Sequence, residues 1–351
     1  MTKQYTLASL GWRAFFQQQL SIDEVERARP ARVLTVQRSG ITVGDTQGER
    51  HIALASKWFS VPAEQRPAIG DWVLLTEQGD TVVRVLDRCS VFTRVTAGVK
   101  ADLQVIAANV DTLFVVTSCN EEFNASRLER YLSLAMEARV EPVVILTKAD
   151  LCDSVDAYVG AVRALHKNLA IECINALDPA AIDGVRAWCL PGQTIALIGS
   201  SGVGKSTLLN SLAGERKQVT GGIRESDSSG RHTTSHRSLH LLPNGALLLD
   251  SPGMRELKMV DAEQGVTEMF ADVGDLALQC RFTDCGHADE PGCAVQAAIA
   301  SGALDERRLH NYRKLLREQA RHTDSIAVQR HRNRQFAKHV KRVVAEKDKR
   351  R

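Results

Sequence analysis

Hydrophobic residues in the first part of the chain fall in short runs separated by turn-forming residues. Within residues 30–95 the runs read ARVLTVQ, GITVGD, RHIALA, GDWVLL and DTVVRVL. Short strands at regular spacing are typical of small antiparallel barrels and sandwiches, so we expect one of these two all-β folds here. Three aromatic residues are candidates for a base-stacking surface of the kind that oligonucleotide-binding barrels use, namely Trp58, Phe59 and Trp72. Core packing is the favoured alternative for each of them.

From about residue 105 the pattern changes to continuous apolar runs that alternate with helical stretches. The runs are VDTLFVVTS (110–118), PVVILT (142–147), LAIECIN (169–175), TIALIG (194–199) and ALLLD (246–250). Continuous runs are expected of strands buried on both faces of a parallel sheet, and the alternation with helices predicts a doubly wound α/β domain. After the first run, Ser126 and Glu129 have capping-box spacing, which predicts a helix starting there.

The overall composition is that of a globular protein with more than one domain. The chain has 351 residues, of which 44% are hydrophobic and 25% are charged, and a typical domain has about 100–200 residues. No apolar run approaches the roughly 18 residues needed to cross a bilayer. The amino terminus lacks the apolar core and the cleavage site of a signal peptide. We therefore expect a cytoplasmic protein with no membrane partner.

Charge is distributed unevenly along the chain. The formal net charge is +3, yet residues 303–351 contain 16 Lys or Arg against six Asp or Glu, which gives this segment +10 and the preceding residues −7. A basic terminal segment on an acidic body indicates a polyanionic partner, foremost a nucleic acid. A solvated helical face followed by a basic tail is the alternative.

A glycine-rich segment after the TIALIG run fits the phosphate-loop pattern GxxxxGK[ST] and precedes the helical run STLLNSL. Glycines let backbone N–H groups approach phosphate oxygens, and the helix N-terminus adds a favourable dipole. We expect Lys205 to reach the β- and γ-phosphates, where it also assists catalysis, and the Ser206 hydroxyl to ligate Mg²⁺. The predicted phosphate-binding residues are Gly199, Ser200, Ser201, Gly202, Val203, Gly204, Lys205, Ser206 and Thr207.

The motif TKAD, which ends the PVVILT run, indicates that the base is guanine because it is close to the NKxD pattern of GTP-binding proteins. The carboxylate of Asp150 can accept the N1–H and the exocyclic amino hydrogens of guanine, a donor pair that adenine lacks. Lys148 can lay its aliphatic stem along the purine. Thr147 stands where the pattern has Asn, whose amide braces this loop against the phosphate loop, so the brace is in question. Asn175 and Ala176 are candidates for a second base-contacting segment.

The segment DSPG after the ALLLD run fits the DxxG motif that senses the γ-phosphate. Asp250 would hold Mg²⁺ through water, and the N–H of Gly253 would meet the γ-phosphate. In the polar loop before this run, either Thr233 or Thr234 is expected to reach Mg²⁺ and the γ-phosphate. The sequence leaves open which threonine does so.

Water activation must use a residue other than the usual glutamine, because Met254 follows DSPG at that position. We hypothesise that His232 positions or activates the water. A group supplied by a partner is one alternative, and a purely structural role of His232 is another.

The motifs occur in an abnormal order, with TKAD first, then the phosphate loop, the threonines and DSPG. A cyclic shift relates this order to that of ordinary GTPases, which indicates a circularly permuted GTPase domain. As a consequence, the nucleotide-sensing DSPG segment leads directly into the carboxyl-terminal module.

Four metal-ligand residues crowd into a short segment near the carboxyl terminus. Three thiolates and one imidazole fill a tetrahedral Zn²⁺ shell, so a structural zinc site is expected rather than a catalytic one. The predicted ligands are Cys280, Cys285, His287 and Cys293. The remaining cysteines are expected to be small buried residues, and they are Cys89, Cys119, Cys152, Cys173 and Cys189.

Taken together, these motifs resemble the RsgA (YjeQ) family of circularly permuted GTPases, through the barrel and the segments TKAD, GSSGVGKS, GRHTTSHR, DSPGM and CRFTDCGHADEPGC. The resemblance implies an extension (1–29), an oligonucleotide-binding barrel (30–97), a permuted α/β P-loop GTPase domain (98–274) and a small, mainly α zinc domain with a basic helical tail (275–351). It also implies one structural Zn²⁺, Mg²⁺ with GTP, GDP as product, and binding to the small ribosomal subunit and its rRNA during late maturation. The subunit would stimulate hydrolysis, and hydrolysis would promote release; we expect a monomer.

Two other functions are compatible with the sequence. One is a non-ribosomal RNA-binding P-loop NTPase, whose nucleotide serves regulation or ATP chemistry. The other is a structural RNA-binding zinc protein without turnover. Asp150 separates the first of these from the main hypothesis, because Asp150→Asn should weaken GTP binding and favour xanthosine triphosphate, whereas an ATPase would be indifferent.

Overall fold

A computed structural model of the chain describes residues 4–37, 39–95, 103–213, 238–250 and 262–321. The strands are β1 (Arg29–Gln37), β2 (Gly40–Asp45), β3 (Gly48–Ala53), β4 (Trp72–Leu75), β5 (Val82–Val85), β6 (Val91–Val95), β7 (Leu103–Ala108), β8 (Thr112–Ser118), β9 (Glu141–Thr147), β10 (Ala170–Cys173), β11 (Thr194–Ile198), β12 (Ser238–Leu241) and β13 (Leu247–Asp250). The helices are α1 (Ala14–Gln17), α2 (Ile22–Arg27), α3 (Lys57–Ser60), α4 (Ala125–Glu137), α5 (Val155–Arg163), α6 (Asp183–Arg186), α7 (Lys205–Ala213), α8 (Glu263–Met269), α9 (Ala271–Ala277), α10 (Ala294–Ala300) and α11 (306–321).

The first five strands form an antiparallel sheet in the order β3-β2-β1-β4-β5. Trp72 is fully buried and Trp58 nearly so, which confirms core packing for both. Phe59 differs, because 54% of it is exposed. Among the strand pairings of the described residues, none joins β3 to β5, so closure into a barrel stays a prediction.

The predicted parallel strands pair in the order β10-β9-β8-β11-β13, with β12 antiparallel at the end. In β8, Leu113 and Val115 belong to one hydrophobic cluster, whereas Phe114 and Val116 belong to another on the opposite face. Burial on both faces is why the runs are continuous, and the doubly wound α/β fold is confirmed. The chain order reverses between β8 and β11, and open α/β sheets bind ligands at the carboxyl ends of such strands.

Helix α4 forms where the sequence predicts a helix, but its start differs. The N-cap is Asn124, whose side-chain oxygen accepts a hydrogen bond from the N–H of Arg127 at 2.9 Å. The predicted capping box of Ser126 and Glu129 is therefore wrong. Glu129 is fully buried and binds Arg307 instead, a partner 178 residues further along the chain that local spacing does not reveal.

The amino-terminal strands are joined to the α/β part rather than separate from it. Strand β1 pairs with β12 at Thr35 and Ser238, so the two regions share one sheet. The buried guanidinium of Arg32 donates to the carbonyl oxygen of Leu10 at 3.1 Å and to the hydroxyl oxygen of Thr194 at 3.0 Å. Burial lowers the pKa of Arg32 to about 10, so the group stays charged at neutral pH. In the described ranges, no helix is long and apolar enough to cross a membrane.

Candidate nucleotide-binding site and metal cluster

The predicted phosphate loop connects β11 to α7 at the carboxyl edge of the parallel strands. A Cβ atom on Gly199 would lie 2.2 Å from the carbonyl oxygen of Val116, so only glycine fits there. Gly204 has a φ of 88°, in the left-handed region that favours glycine. Helix α7 begins at Lys205, so its first N–H groups, which lack partners within the helix, lie at the end of the loop. This is the local geometry of an anion-binding loop.

The loop is anchored inside the protein and open at the surface. Val203 is 1% exposed and Lys205 is 8% exposed. The ammonium group of Lys205 donates a hydrogen bond to the backbone carbonyl oxygen of Ser200. Ser201 and Ser206 are exposed, so their hydroxyl groups are accessible to a ligand.

Thr147 braces the TKAD segment against the phosphate loop. Its buried side-chain hydroxyl lies 2.7 Å from the carbonyl oxygen of Val203 and 3.1 Å from that of Thr117. One hydroxyl donates a single proton, and the shorter contact favours Val203. A threonine at this position therefore supplies the brace that an asparagine amide provides in the NKxD pattern, by a hydroxyl rather than an amide.

Removing this hydroxyl should loosen nucleotide binding without unfolding the protein. Thr147→Val keeps the shape but leaves the Val203 carbonyl oxygen without its donor, and a hydrogen bond of this kind contributes about 0.5–1.5 kcal/mol. We expect GDP affinity to fall roughly threefold to tenfold in a fluorescence titration. Thr112→Val is the matched control, since Thr112 is also buried but begins β8, at the edge of the sheet opposite the phosphate loop. Equal effects of the two variants would contradict the brace.

The turn that carries Asp150 presents its carboxylate to solvent. Lys148 has a φ of 58°, and this left-handed residue redirects the chain after β9 into the turn Ala149–Leu151. Asp150 is exposed in that turn, so its carboxylate is accessible to an incoming base. The turn thus has the accessibility that the guanine hypothesis requires.

The second predicted base-contacting segment lies beside this turn. The N–H of Ala149 donates to the carbonyl oxygen of Ile174 at 3.2 Å, directly before Asn175. The carbonyl oxygen of Ala176 accepts a hydrogen bond from the Ser211 hydroxyl at 2.7 Å, which ties the segment to helix α7. The structure therefore brings together three predicted parts of the site: the TKAD turn, residues 175–176 and the phosphate loop.

The remaining predicted site residues belong to the segments around β13. Asp250 ends β13, which pairs in parallel with β11, the strand before the phosphate loop. Five other residues named in the sequence analysis lie outside the described residues: His232, Thr233, Thr234, Gly253 and Met254.

The four predicted metal ligands form one cluster whose ligand atoms all lie within 4.8 Å of one another. The Cys280 and Cys293 sulfurs are 3.8 Å apart, and Nδ1 of His287 lies 3.5 Å and 3.6 Å from them. Burial and the charge of Arg313 lower the pKa of His287, which favours the neutral imidazole that metals bind. Although burial acts in the opposite direction, hydrogen bonds from backbone N–H groups at the start of α10 lower the pKa of Cys280. The arrangement suits a metal ion.

A buried ionic network that the sequence did not indicate joins α4 to the carboxyl-terminal residues. The Glu129 carboxylate, 0% exposed, lies 2.9 Å from Nη1 of Arg307 and 3.0 Å from Nη1 of Arg308. Arg308 also lies 2.5 Å from Asp272. Two positive charges of the basic segment 303–351 are therefore paired with the buried Glu129 carboxylate, although the Arg307 side chain is itself 37% exposed. A count of charges along the sequence does not distinguish these two arginines from the others in the segment.

Comparison with known proteins gives the family. Residues 85–260 match the model of the RsgA GTPase family. A protein of Vibrio vulnificus named small ribosomal subunit biogenesis GTPase RsgA 2 is 51% identical over 98% of this chain and 97% of its own length. The chain belongs to the RsgA GTPase family. As a member of that family, it is a GTP-hydrolysing enzyme.

Other RsgA proteins and solved structures agree. An RsgA 2 protein of Vibrio parahaemolyticus is 53% identical, covering 98% of this chain and 94% of the relative, and an RsgA protein of Mesorhizobium japonicum is 46% identical, covering 91% of each. The crystal structure of YjeQ from Thermotoga maritima has a TM-score of 0.61 at 26% identity, over 83% of this chain and 98% of that one. YloQ, described as a circularly permuted GTPase, has a TM-score of 0.58 at 20% identity, over 83% of this chain and 94% of its own, and supports the permuted fold.

Proposed function

We propose that this chain binds the small ribosomal subunit during late maturation and hydrolyses GTP to GDP and phosphate there. The subunit stimulates hydrolysis, and hydrolysis promotes release. The relatives reported above are named small ribosomal subunit biogenesis GTPases. The observation that carries the GTP-binding part of the proposal is the hydrogen bond from Thr147 to Val203, because it joins the predicted guanine-binding turn to the predicted phosphate loop.

In this proposal each segment of the site contacts a different part of GTP. Asp150 accepts from the guanine N1–H and amino group, and Lys148 covers the purine face, with Asn175 and Ala176 beside the base. Exposed hydroxyl and carboxylate oxygens are ligands that Mg²⁺ prefers. Bound Mg²⁺ would neutralise charge on the β- and γ-phosphate oxygens. The residues proposed to hold it are Ser206, one of Thr233 and Thr234, and Asp250 through water.

His232 is proposed to position the attacking water, because the apolar Met254 has no group able to do so. His232→Ala should therefore lower subunit-stimulated turnover roughly 100-fold or more, within the range of general base contributions. GDP affinity should stay the same, since the imidazole is assigned no contact with the bound base. Single-turnover hydrolysis beside a GDP titration would measure both effects. Unchanged turnover would exclude the role.

The metal cluster is proposed to hold one structural Zn²⁺. A tetrahedral site with Zn–S bonds of about 2.3 Å places two sulfur ligands about 3.8 Å apart, and the Cys280 and Cys293 sulfurs are 3.8 Å apart. With three thiolates and one imidazole the shell is complete, so the ion would stabilise the segment 275–300 rather than bind substrate.

Replacing one ligand should remove the metal and weaken the carboxyl-terminal module. For Cys293→Ser we expect elemental analysis to give zinc well below one ion per chain, together with a lower unfolding temperature. Cys173→Ser, which changes an exposed thiol outside the cluster, should keep the metal. Full zinc content in Cys293→Ser would contradict the assignment.

The antiparallel strands are proposed to form the oligonucleotide-binding barrel. Such barrels have five strands and are partly open, which agrees with five strands in the order β3-β2-β1-β4-β5. Phe59 is the aromatic side chain most exposed for stacking on a base. The proposed domain boundaries are 1–29, 30–97, 98–274 and 275–351.

Binding to the small subunit is proposed to depend on nucleotide and on the basic tail. Co-sedimentation with purified small subunits should retain more chain with a non-hydrolysable GTP analogue than with GDP. Equal retention with both nucleotides would contradict the release step.

Removing residues 325–351 should lower subunit affinity and reduce the dependence of that affinity on salt, because fewer phosphate contacts release fewer counterions.

A further inference from the structure

Two cationic side chains from different helices converge on one residue of the phosphate loop. The ammonium group of Lys205, at the start of α7, donates a hydrogen bond to the backbone carbonyl oxygen of Ser200. The guanidinium of Arg127, in the first turn of α4, donates through Nη1 to the side-chain hydroxyl oxygen of Ser200. Because the two acceptors belong to one residue, both positive charges lie at the same end of the loop.

Arg127 is fixed at its backbone and accessible at its charged end. It is the third residue of α4, and its N–H donates to the capping side chain of Asn124 at 2.9 Å. Its side chain is 40% exposed, and Nη1 lies 3.9 Å from a carboxylate oxygen of the exposed Glu122. An exposed pair at this distance is weak and easily exchanged for a stronger anion.

The convergence is unfavourable without an anion and favourable with one. Two like charges near one residue repel each other, whereas an anion between them is attracted by both. The planar guanidinium also matches phosphate oxygens with two parallel N–H groups. The lysine of a phosphate loop reaches the β- and γ-phosphates. A guanidinium at the same end of the loop is therefore placed for the terminal phosphate.

We propose that Arg127 contacts the γ-phosphate of bound GTP and makes the site prefer GTP over GDP. The inference rests on the proposed nucleotide site at the phosphate loop. GDP lacks the group that Arg127 contacts, so the arginine stabilises only the triphosphate complex. An arginine beside the transferred phosphoryl group also offsets negative charge in the transition state.

The test compares the affinities of the full chain for GDP and for a non-hydrolysable GTP analogue, in fluorescence titrations with Mg²⁺ present. Because a charge-assisted contact is lost, we expect Arg127→Ala to weaken analogue binding at least ~10-fold and GDP binding less than ~2-fold. Arg127→Lys keeps the charge without the planar fork and should recover part of the loss. Arg317→Ala should change neither affinity, since this exposed arginine bonds the Arg313 carbonyl oxygen of its own helix at 3.1 Å.

Ser200→Ala separates direct contact from bracing of the loop. If Arg127 acted only by holding Ser200, this variant would reproduce the selective loss of analogue affinity seen with Arg127→Ala and overturn the proposal. Because Ser200 belongs to the phosphate loop, we expect its removal to affect GDP and the analogue equally, so that the ratio of their affinities stays within ~2-fold of that of the unchanged chain. Equal weakening of both nucleotides by Arg127→Ala, or no weakening, would also overturn it. Lys205→Ala should weaken both nucleotides. If it weakened neither, the proposed nucleotide site itself would be wrong, which is a different failure.

Discussion

Asp150→Asn is expected to reverse the nucleotide preference, so that xanthosine triphosphate binds better than GTP. The carboxylate would accept two hydrogen bonds from guanine, and each bond to a charged group contributes about 1.5–3 kcal/mol. Losing it should therefore weaken GTP binding about 100-fold or more. An asparagine amide can instead donate to the carbonyl oxygen that xanthine carries in place of the amino group. Competition titrations with both triphosphates would measure this change in nucleotide preference.

Asp153→Asn is the matched control for this change, because Asp153 is also exposed and lies three residues further along the chain. It should leave both affinities unchanged. If Asp150→Asn weakened GTP binding without any gain for xanthosine triphosphate, the carboxylate would not read the base. If it changed neither affinity, the TKAD turn would not belong to the site.

Glu129→Gln is expected to destabilise the contact between α4 and the carboxyl-terminal module by about 3–5 kcal/mol, the cost of removing one partner from a buried ion pair. The carboxylate accepts hydrogen bonds from Arg307 and Arg308, and also from the Asn311 side chain. A neutral amide would no longer pair with the positive charge of Arg308, whose side chain is 7% exposed. Within this network Arg308 would then keep only its pair with Asp272. Urea unfolding followed by far-UV circular dichroism should show a lower midpoint for the module.

Glu121→Gln provides the comparison, since Glu121 is an exposed acidic residue just before α4. Its unfolding curve should match that of the unchanged chain. Equal midpoints for Glu121→Gln and Glu129→Gln would mean that the network contributes nothing to the docking of the module. Because α4 also carries Arg127, we further expect Glu129→Gln to reduce subunit-stimulated turnover.

Local signals in the sequence were sufficient to predict the parallel sheet and the phosphate loop. Strand β8 is buried along its whole length, so its run of apolar residues has no interruption. The glycines of the loop are required by a close backbone approach at Gly199 and a left-handed φ at Gly204. Both signals arise from residues near one another in the chain. The metal cluster is equally local, with its ligands between Cys280 and Cys293.

Contacts between distant residues could not be predicted in this way. Glu129 has the spacing of a capping residue, yet it is fully buried and its hydrogen-bond partners lie 178 and more residues away. The contact between Arg127 and Ser200 spans 73 residues and has no motif of its own. The pairing of β1 with β12 likewise joins two regions that composition divides. Such contacts depend on the tertiary fold, which decides which polar groups find partners when they are buried.

These contacts join α4 to the elements that follow DSPG along the permuted chain. The segment after DSPG continues into α8 and α9, and Asp272 of α9 binds Arg308 of α11. Arg308 in turn binds Glu129 of α4, two residues after Arg127. A continuous set of contacts therefore leads from the carboxyl-terminal module to the phosphate loop. The module, whose basic tail we propose to contribute to subunit binding, is thus connected to the end of the phosphate loop where we propose that Arg127 contacts the γ-phosphate.

GTP hydrolysis measured with and without purified small ribosomal subunits tests the central claim most directly. We predict that the subunits raise the turnover rate of the full chain well above its rate alone, while Lys205→Ala stays inactive in both conditions. Large ribosomal subunits at the same concentration should have little effect. The same turnover rate with and without small subunits would contradict the account.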